Sequence, residues 1–142
     1  MLVSQILKDK GDVVFTASPS ETVGAAAALL HARGVGSMVV LDAADEVIGI
    51  VSERDIVRVV AEKGAEGLKQ TITSCMTHNV VFAEPHETVD SLLERMTDRR
   101  VRHLPVVKAG KLIGIVSIGD LVKCKIAEAE AEAEGLKAYI SA

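Results

Sequence analysis

The sequence predicts a mixed α/β protein made of two tandem β-α-β-β-α units, packed about a pseudo-two-fold axis through their sheets and followed by an extended C-terminal helix. The chief observation is an internal repeat, because the pentapeptide Ile-Gly-Ile-Val-Ser occurs at 48–52 and again at 113–117. An aspartate stands three residues after each copy, at Asp55 and Asp120. The second observation is size: a unit of about 60 residues is marginally stable alone, so its small sheet needs a partner to cover it.

The elements of each repeat follow from the spacing of apolar residues and from turn signals. In the first repeat we predict a β-rich run at 13–15, a helix from 22 to about 33, strands at 38–41 and 47–51, and a helix that begins at Ser52. In the second repeat we predict a helix from 88 to about 99, strands at 104–107 and 112–116, and a helix that begins at Ser117. The corresponding domains are residues 1–66, residues 67–127, and a helical extension at 128–142.

The first helix of the first repeat has clear start and stop signals. Ser20 or Thr22 is a candidate N-cap, because a hydroxyl oxygen accepts a hydrogen bond from an unpaired amide of the first turn. Gly34 is the expected stop, because glycine adopts the left-handed conformation that ends many helices.

The C-terminal segment alternates alanine and glutamate from 127 to 134. Both residues are good helix formers and poor strand formers, so we predict a helix. Its apolar residues recur at spacings of four and three, which is typical of a coiled-coil seam. The residues of this seam are Val122, Ile126, Ala129, Ala133, Leu136 and Ile140. Two alternatives remain open, a seam between two chains and a helix folded back onto its own domain.

The Gly-x-x-Ser-x-x-Asp ending of each repeat has the chemistry of a nucleotide site. Amide groups at a helix start attract an anion, and a carboxylate accepts hydrogen bonds from ribose hydroxyls. The alternative is a capping box, in which the serine and aspartate side chains satisfy helix amides and bind nothing else.

Together these features resemble a tandem pair of cystathionine-beta-synthase (CBS) domains, or Bateman module. The resemblance rests on Pro-x-Glu-Thr-Val, which begins at Pro19 and Pro85, on Arg-His-Leu-Pro-Val-Val at 102–107, and on the two Gly-Ile-Val-Ser-x-x-Asp endings. It covers nearly the whole chain, and the nearest likeness is to stand-alone bacterial pairs. The resemblance implies that Asp55 and Asp120 bind ribose hydroxyls and that Ser52 and Ser117 lie near ribose or phosphate.

The resemblance also implies phosphate and adenine contacts. Arg102 and His103 stand where CBS pairs commonly bind phosphate, whereas Gly36 and Ser37 stand at the matching positions of the first repeat. We therefore expect the two sites to bind unequally, with Arg54 either compensating or simply exposed on its helix. The expected adenine contacts are Ile50, Ile115, Thr16, Ala17, Ala83 and Glu84.

Composition argues against several other classes of protein. A net charge of −4, a pI near 5.6 and an aromatic content of 2% disfavour a nucleic-acid partner. The chain has neither a signal-peptide core nor an apolar run of membrane-spanning length, so we expect a cytoplasmic protein with no membrane partner. Two distant cysteines predict no metal site. The sequence contains no nucleophile with a placed base, so we expect neither an enzyme nor a catalytic cofactor.

The leading hypothesis is a regulatory module that binds an adenine nucleotide such as AMP, ATP or NAD between its two units. We expect a homodimer that signals to a separate, unidentified effector protein. The alternative is a ligand-independent homodimeric interaction scaffold with vestigial clefts.

Overall fold

By packing, the chain forms two compact units. The structure is a computed structural model that describes residues 1–11 and 13–141. One unit, which we call the continuous unit, is Val13–Val81, and the other, the discontinuous unit, combines Met1–Asp12 with Phe82–Ala142.

These units differ from the predicted domains 1–66 and 67–127 in where they divide the chain. The reason is the docking of the first helix, α1 (Val3–Lys10), within the discontinuous unit. The amide of Val3 donates to the carbonyl of Glu87 over 2.9 Å, and Leu2 forms a β-bridge with Thr88. The sequence repeat does not predict this arrangement, because the similarity between the two copies does not show which neighbouring segment covers each hairpin.

The continuous unit contains a three-stranded sheet, two α-helices and two short 3₁₀ helices. Its elements are β1 (Thr16–Ala17), α2 (Val23–Arg33), β2 (Ser37–Leu41), β3 (Val47–Ser52), α3 (Glu53–Lys63) and 3₁₀ helices at Gly64–Lys69 and Ile72–Ser74. β1 runs parallel to β2, which runs antiparallel to β3. The helix, the hairpin and the helix after Ser52 that the sequence predicts are confirmed.

The first strand lies later than the predicted run at 13–15. Only Thr16 and Ala17 pair with β2, opposite Val39 and Val40. Val13 is 71% exposed, so the apolar pattern there marks no buried strand. Pairing begins where the chain first reaches β2, at the Phe15 carbonyl, which accepts from the Val39 amide over 3.3 Å.

The discontinuous unit repeats this plan with a two-stranded sheet. After α1 its elements are α4 (Val89–Arg99), β4 (His103–Lys108), β5 (Lys111–Ser117) and α5 (Ile118–Ser141). β4 and β5 form an antiparallel hairpin, and Ala83 makes a single parallel bridge to Val106 where the continuous unit has β1. The predicted helix, hairpin and following helix of the second repeat are confirmed.

Matching threonines begin the first helix of each repeat. The Thr22 hydroxyl accepts from the Ala25 amide, and the Thr88 hydroxyl accepts from the Ser91 amide, each over 3.1 Å. Gly34 ends α2 in the left-handed conformation, with φ of 64°, as predicted. These caps satisfy helix-end groups that are otherwise unpaired.

The core of each unit lies between its sheet and its helices. The fully buried large side chains of the continuous unit are Met38 and Ile72, with Val23, Val39, Val40 and Val51. Those of the discontinuous unit include Leu92, Met96, Leu104 and Leu121, with Val3, Val89, Val106 and Val116. Val3 brings α1 into this core, so α1 is an integral part of the unit.

The repeated glycine of Ile-Gly-Ile-Val-Ser lets a neighbouring side chain approach the hairpin closely. A Cβ atom built on Gly49 would lie 2.6 Å from Met76 Sδ and 3.0 Å from the Thr77 carbonyl oxygen. A Cβ atom built on Gly114 would lie 2.5 Å from Leu7 Cδ2. In each unit the glycine therefore leaves room for a side chain of the same unit.

The helical extension predicted at 128–142 is the distal part of α5, in so far as the structure describes it. Leu121 and Cys124 are buried, whereas the seam residues Val122, Ile126 and Leu136 are 45%, 54% and 63% exposed. Residues three or four apart share a helix face. Leu121 and Cys124 therefore lie on one face of α5, and the seam residues lie on another. The described residues of this chain leave the seam uncovered. No helix in the described ranges is both long and apolar enough to cross a bilayer.

We expect Gly49→Ala to destabilise the protein by about 1–3 kcal/mol, because Met76 and the Thr77 carbonyl would have to move away from the new methyl group. Chemical denaturation followed by circular dichroism measures this change. Gly135→Ala is the control, since a Cβ there meets nothing within 4 Å. We expect this control to stabilise by up to about 1 kcal/mol, because alanine favours a helix more than glycine does. Equal effects of the two substitutions would contradict the assigned close approach.

Candidate functional site

The predicted serine and aspartate of the first repeat form a capping box at the start of α3. The Asp55 Oδ2 atom accepts from the Ser52 amide over 2.8 Å and from the Ser52 hydroxyl over 3.1 Å. In return, the Asp55 amide donates to Ser52 Oγ over 3.4 Å. The capping-box alternative therefore describes how these two side chains bond in the first repeat.

We call the start of α3, with Ser52, Asp55 and the backbone of Ile50, the first-repeat notch. Further contacts close this notch. Arg58 Nη2 donates to Asp55 Oδ1 over 3.1 Å and to the Cys75 carbonyl over 3.0 Å. The backbone of Ile50 is also engaged, since its amide donates to the Thr77 carbonyl and its carbonyl accepts from the Thr77 amide. Asp55 is only 6% exposed. Both carboxylate oxygens and both backbone groups at this notch thus have partners within the continuous unit.

The second-repeat notch is the start of α5, with Ser117, Asp120 and the carbonyl of Ile115. Its polar groups have different hydrogen-bond partners from those of the first-repeat notch. Asp120 Oδ2 accepts from the Ser117 amide over 2.8 Å, and the Asp120 amide donates to Ser117 Oγ over 3.1 Å. Lys10, at the end of α1, donates from Nζ to Asp120 Oδ2 over 2.7 Å and to the Ile115 carbonyl over 3.0 Å. Among the described residues, none donates to Asp120 Oδ1, and the Asp120 side chain is 25% exposed. This notch is therefore the more open of the two.

The pKa of Asp120 lies below its ordinary value. Partial burial acts to raise this pKa, but hydrogen bonds from the Lys10 ammonium and the Ser117 amide favour the charged form and outweigh burial. At neutral pH the Asp120 carboxylate is ionised and acts only as a hydrogen-bond acceptor.

The predicted basic residues adjoin the same helix start. His103 is paired with Ser117 across the β4–β5 hairpin, and the Ile118 amide donates to the Arg102 carbonyl over 2.8 Å. Arg102 is exposed and His103 is half-buried. The structure therefore brings Ser117, Asp120, Arg102 and His103 together around the start of α5.

The first repeat has the same backbone arrangement without the basic side chains. Ser37 is paired with Ser52, and the Glu53 amide donates to the Gly36 carbonyl over 3.0 Å. Arg54 is exposed on α3 and belongs to none of the ion pairs within the described ranges. The two helix starts therefore differ in the basic side chains beside them.

The predicted adenine contacts differ in their exposure to solvent. Ala17 and Ala83 are buried, whereas Thr16 is exposed. Ala83 also uses both of its backbone groups, donating to the Pro105 carbonyl and accepting from the Val107 amide, each over 2.9 Å. These alanines therefore offer a ligand little accessible surface in this conformation.

Glu84 directly follows Ala83 but, unlike it, lines a groove at the surface. It lines a surface groove of about 450 Å³ that contains none of the other predicted ligand residues. The residues around this groove are Leu2, Ser4, Glu84, Pro85, His86, Val107, Lys108 and Ala109.

Sequence reasoning missed the two cations that contact the aspartates. Arg58 had a usable signal, because it follows Asp55 by three residues on one helix face. Lys10 had none, because it precedes Asp120 by 110 residues and reaches it only through the docking of α1.

The fold and the two notches define a class, tandem-repeat α/β proteins in which each hairpin leads into a helix bearing a serine and an aspartate at its start. Within that class, the family model named CBS domain matches this chain twice, at residues 4–62 and 72–126. The chain therefore belongs to the CBS domain family and contains a tandem pair of these domains, as the resemblance implied.

Solved structures of the family share this fold. The chain is similar to a CBS-domain containing protein from Agrobacterium tumefaciens, with 46% identity, a TM-score of 0.85, and coverage of 87% of this chain and 92% of that one. It is similar to the CBS domain pair of protein MJ0100, solved with 5′-methylthioadenosine and S-adenosyl-L-methionine, at 26% identity and a TM-score of 0.80, over 90% and 98% of the two chains. A CBS domain protein from Pyrobaculum aerophilum, complexed with AMP, is 25% identical with a TM-score of 0.76, over 84% and 89%.

The Lys10–Asp120 ion pair predicts a pH-dependent contribution to stability. Because the pKa of Asp120 is lowered in the folded state, the contribution is complete above the unfolded pKa of about 3.9 and is lost as pH falls through the folded value. Lys10→Met should therefore destabilise by about 1 kcal/mol at pH 7, a modest amount because the pair is partly exposed. The difference from the unsubstituted protein should shrink as pH falls through the folded pKa of Asp120 and vanish once that carboxyl is protonated in both states.

Urea denaturation at several pH values measures this effect, and Lys8→Met is the matched control. Both lysines lie in the last turn of α1, so they share any interaction with the helix dipole, but only Lys10 contacts Asp120. A loss in Lys10→Met that is independent of pH, or that Lys8→Met reproduces, would contradict the ion-pair account.

Proposed function

We propose that this chain is a regulatory, non-catalytic module that binds an adenosine-bearing ligand at the second-repeat notch. The observation that carries the proposal is the Asp120 carboxylate, which is ionised, partly exposed and without a described hydrogen-bond donor to Oδ1. A ribose hydroxyl can donate to such an oxygen. Arg102 and His103, beside the same helix start, supply basic groups for a phosphate.

The first-repeat notch is the weaker candidate. Asp55 is buried under Arg58 and Ser52, and the Ile50 backbone is paired with Thr77. A ligand would have to replace these hydrogen bonds before gaining its own, and an unsatisfied buried group costs about 1–3 kcal/mol. We therefore propose that the second repeat binds first and more tightly.

The ligand class is inferred from what the family members have in common. AMP, 5′-methylthioadenosine and S-adenosyl-L-methionine, present in two of the similar structures, all contain adenosine. Their shared ribose diol suits a carboxylate acceptor, whereas their 5′ groups differ in charge. AMP, ATP and NAD remain the proposed ligands for this chain.

Regulation requires a ligand to favour one of two states of the protein. We propose that binding at the start of α5 biases the geometry of a homodimer, because a ligand shifts an equilibrium by its difference in affinity for the two states. The output then passes to a separate effector protein, and the proposed compartment is the cytoplasm.

The binding proposal predicts stabilisation by ligand. A thermal or chemical melt with AMP at about 100 times its dissociation constant should raise the free energy of unfolding by about 2.7 kcal/mol. Asp120→Asn should abolish most of this gain, because the amide loses the charge and half of the acceptor capacity. Asp98→Asn, at an exposed position on α4, is the charge-matched control and should keep the gain. No stabilisation by AMP, ATP or NAD would overturn the proposal.

The exposed seam of α5 favours a second candidate, a homodimeric interaction scaffold. Val122, Ile126, Leu136 and Ile140 form one apolar stripe that nothing in the described chain covers. The same stripe suits a partner helix in a two-chain seam, because apolar residues spaced four and three apart pack as knobs into holes. In this second candidate, the seam alone carries the function.

The dimer proposal is tested by placing charges on the seam. Ile126→Glu combined with Leu136→Glu should convert a dimer into a monomer, seen as a halved mass in light scattering coupled to size-exclusion chromatography, because two buried carboxylates per helix oppose association. Ala131→Glu, on the opposite helix face, is the control and should remain dimeric. A dimer that survives the double substitution would exclude the seam as its interface.

A further inference from the structure

Lys10 has a location that neither the family match nor the sequence motifs assign to any role. Its ammonium group contacts two atoms of the proposed ligand notch, Asp120 Oδ2 at 2.7 Å and the Ile115 carbonyl at 3.0 Å. We propose that Lys10 determines the ligand specificity of this notch by selecting adenosine ligands that carry phosphate over those that are uncharged or cationic. This inference rests on the proposed function.

The backbone position of Lys10 is set by the contacts of the residues that precede and follow it on the chain. Leu7 lies one turn earlier on α1 and packs over Gly114 on the strand that leads to Ser117. Gly11 follows directly and ends α1, its amide donating to the Leu7 carbonyl over 2.8 Å. A residue between two such anchors has a restricted backbone, so its charge stays close to the notch.

The charge balance of the notch favours an anion. Lys10 neutralises Asp120, and Arg102 adds positive charge beside the same helix start. A lysine ammonium has three N–H donors, and Lys10 uses one on Asp120 and one on the Ile115 carbonyl. The third donor is available to a phosphate oxygen. A sulfonium cation at the same place would instead meet like charge.

Among the described residues, the first repeat has no equivalent of this arrangement. There the Ile50 carbonyl accepts from the backbone amide of Thr77, not from a side-chain cation. The cation on Asp55 is Arg58, which comes from the same helix and also donates to the Cys75 carbonyl. Among the described residues, a lysine ammonium with three donors contacts only the second-repeat notch, so phosphate selection should be a property of that notch alone.

The same geometry allows a second role for Lys10, in which its side chain only blocks the notch against every ligand. If Lys10 only filled the notch, every adenosine ligand would have to displace it, and its removal would tighten all of them equally. Selection predicts a different pattern, because the effect of Lys10 then depends on the charge of the 5′ group. Three ligands with a common adenosine and different 5′ charges separate the two consequences.

Isothermal titration calorimetry of the full chain with AMP, 5′-methylthioadenosine and S-adenosyl-L-methionine provides the test. We expect Lys10→Gln to weaken AMP binding about tenfold, as for the loss of one charge-assisted hydrogen bond. The same substitution should change the affinity for 5′-methylthioadenosine by less than about threefold and should tighten S-adenosyl-L-methionine. Lys10→Arg should retain the preference for AMP, and Lys8→Gln, in the same helical turn, should match the unsubstituted protein.

Equal changes for all three ligands in Lys10→Gln would overturn selection in favour of obstruction, and no change for any of them would overturn it outright. Both results leave the proposed function intact, because the unsubstituted protein still binds. Failure of the unsubstituted protein to bind any of the three ligands would instead overturn the proposed function itself. Far-ultraviolet circular dichroism of each variant establishes that the comparison is between folded proteins.

Discussion

The close approach of a side chain to the repeated glycine is the constraint on which the rest of the structure depends. Met76 lies against Gly49 in the continuous unit, and Leu7 lies against Gly114 in the discontinuous unit. Each contact fixes one segment over one hairpin, and the strand that carries the glycine leads directly into the serine-capped helix. The same contact that completes the core therefore also determines which residue reaches the notch, Thr77 in one unit and Lys10 in the other.

Much of the fold could be predicted because its signals are local. Threonine caps, the left-handed Gly34 and the alternation within each hairpin are properties of neighbouring residues. The predicted position of the first strand was wrong because residues 13–15 have the composition of a strand, but only the Phe15 carbonyl reaches β2 and the pairing runs through Thr16 and Ala17. The membership of α1 in the discontinuous unit could not be predicted, because it depends on a contact between residues more than 100 positions apart in the sequence.

The candidate site was predictable to the same extent. Ser52, Asp55, Ser117 and Asp120 were found because the repeat presents them twice, and they do lie at matching helix starts. The two interpretations, helix cap and ligand contact, are compatible at Asp120, where Oδ2 caps the helix and Oδ1 accepts from none of the described residues. They conflict at Asp55, where Arg58 takes the second oxygen. The two Ser-x-x-Asp motifs are thus alike in sequence, but their aspartates differ in accessibility because the cations that contact them lie outside the motif.

The discontinuous unit also imposes an order on folding during synthesis. The residues of the continuous unit leave the ribosome as one uninterrupted segment, so that unit can fold as soon as it emerges. Helix α1 emerges before it, yet its apolar face, with Val3, Ile6 and Leu7, has no hairpin to cover until β5 has been made. The apolar face of α1 therefore stays uncovered while the continuous unit and the β4–β5 hairpin are synthesised, so the discontinuous unit completes its core after the continuous one.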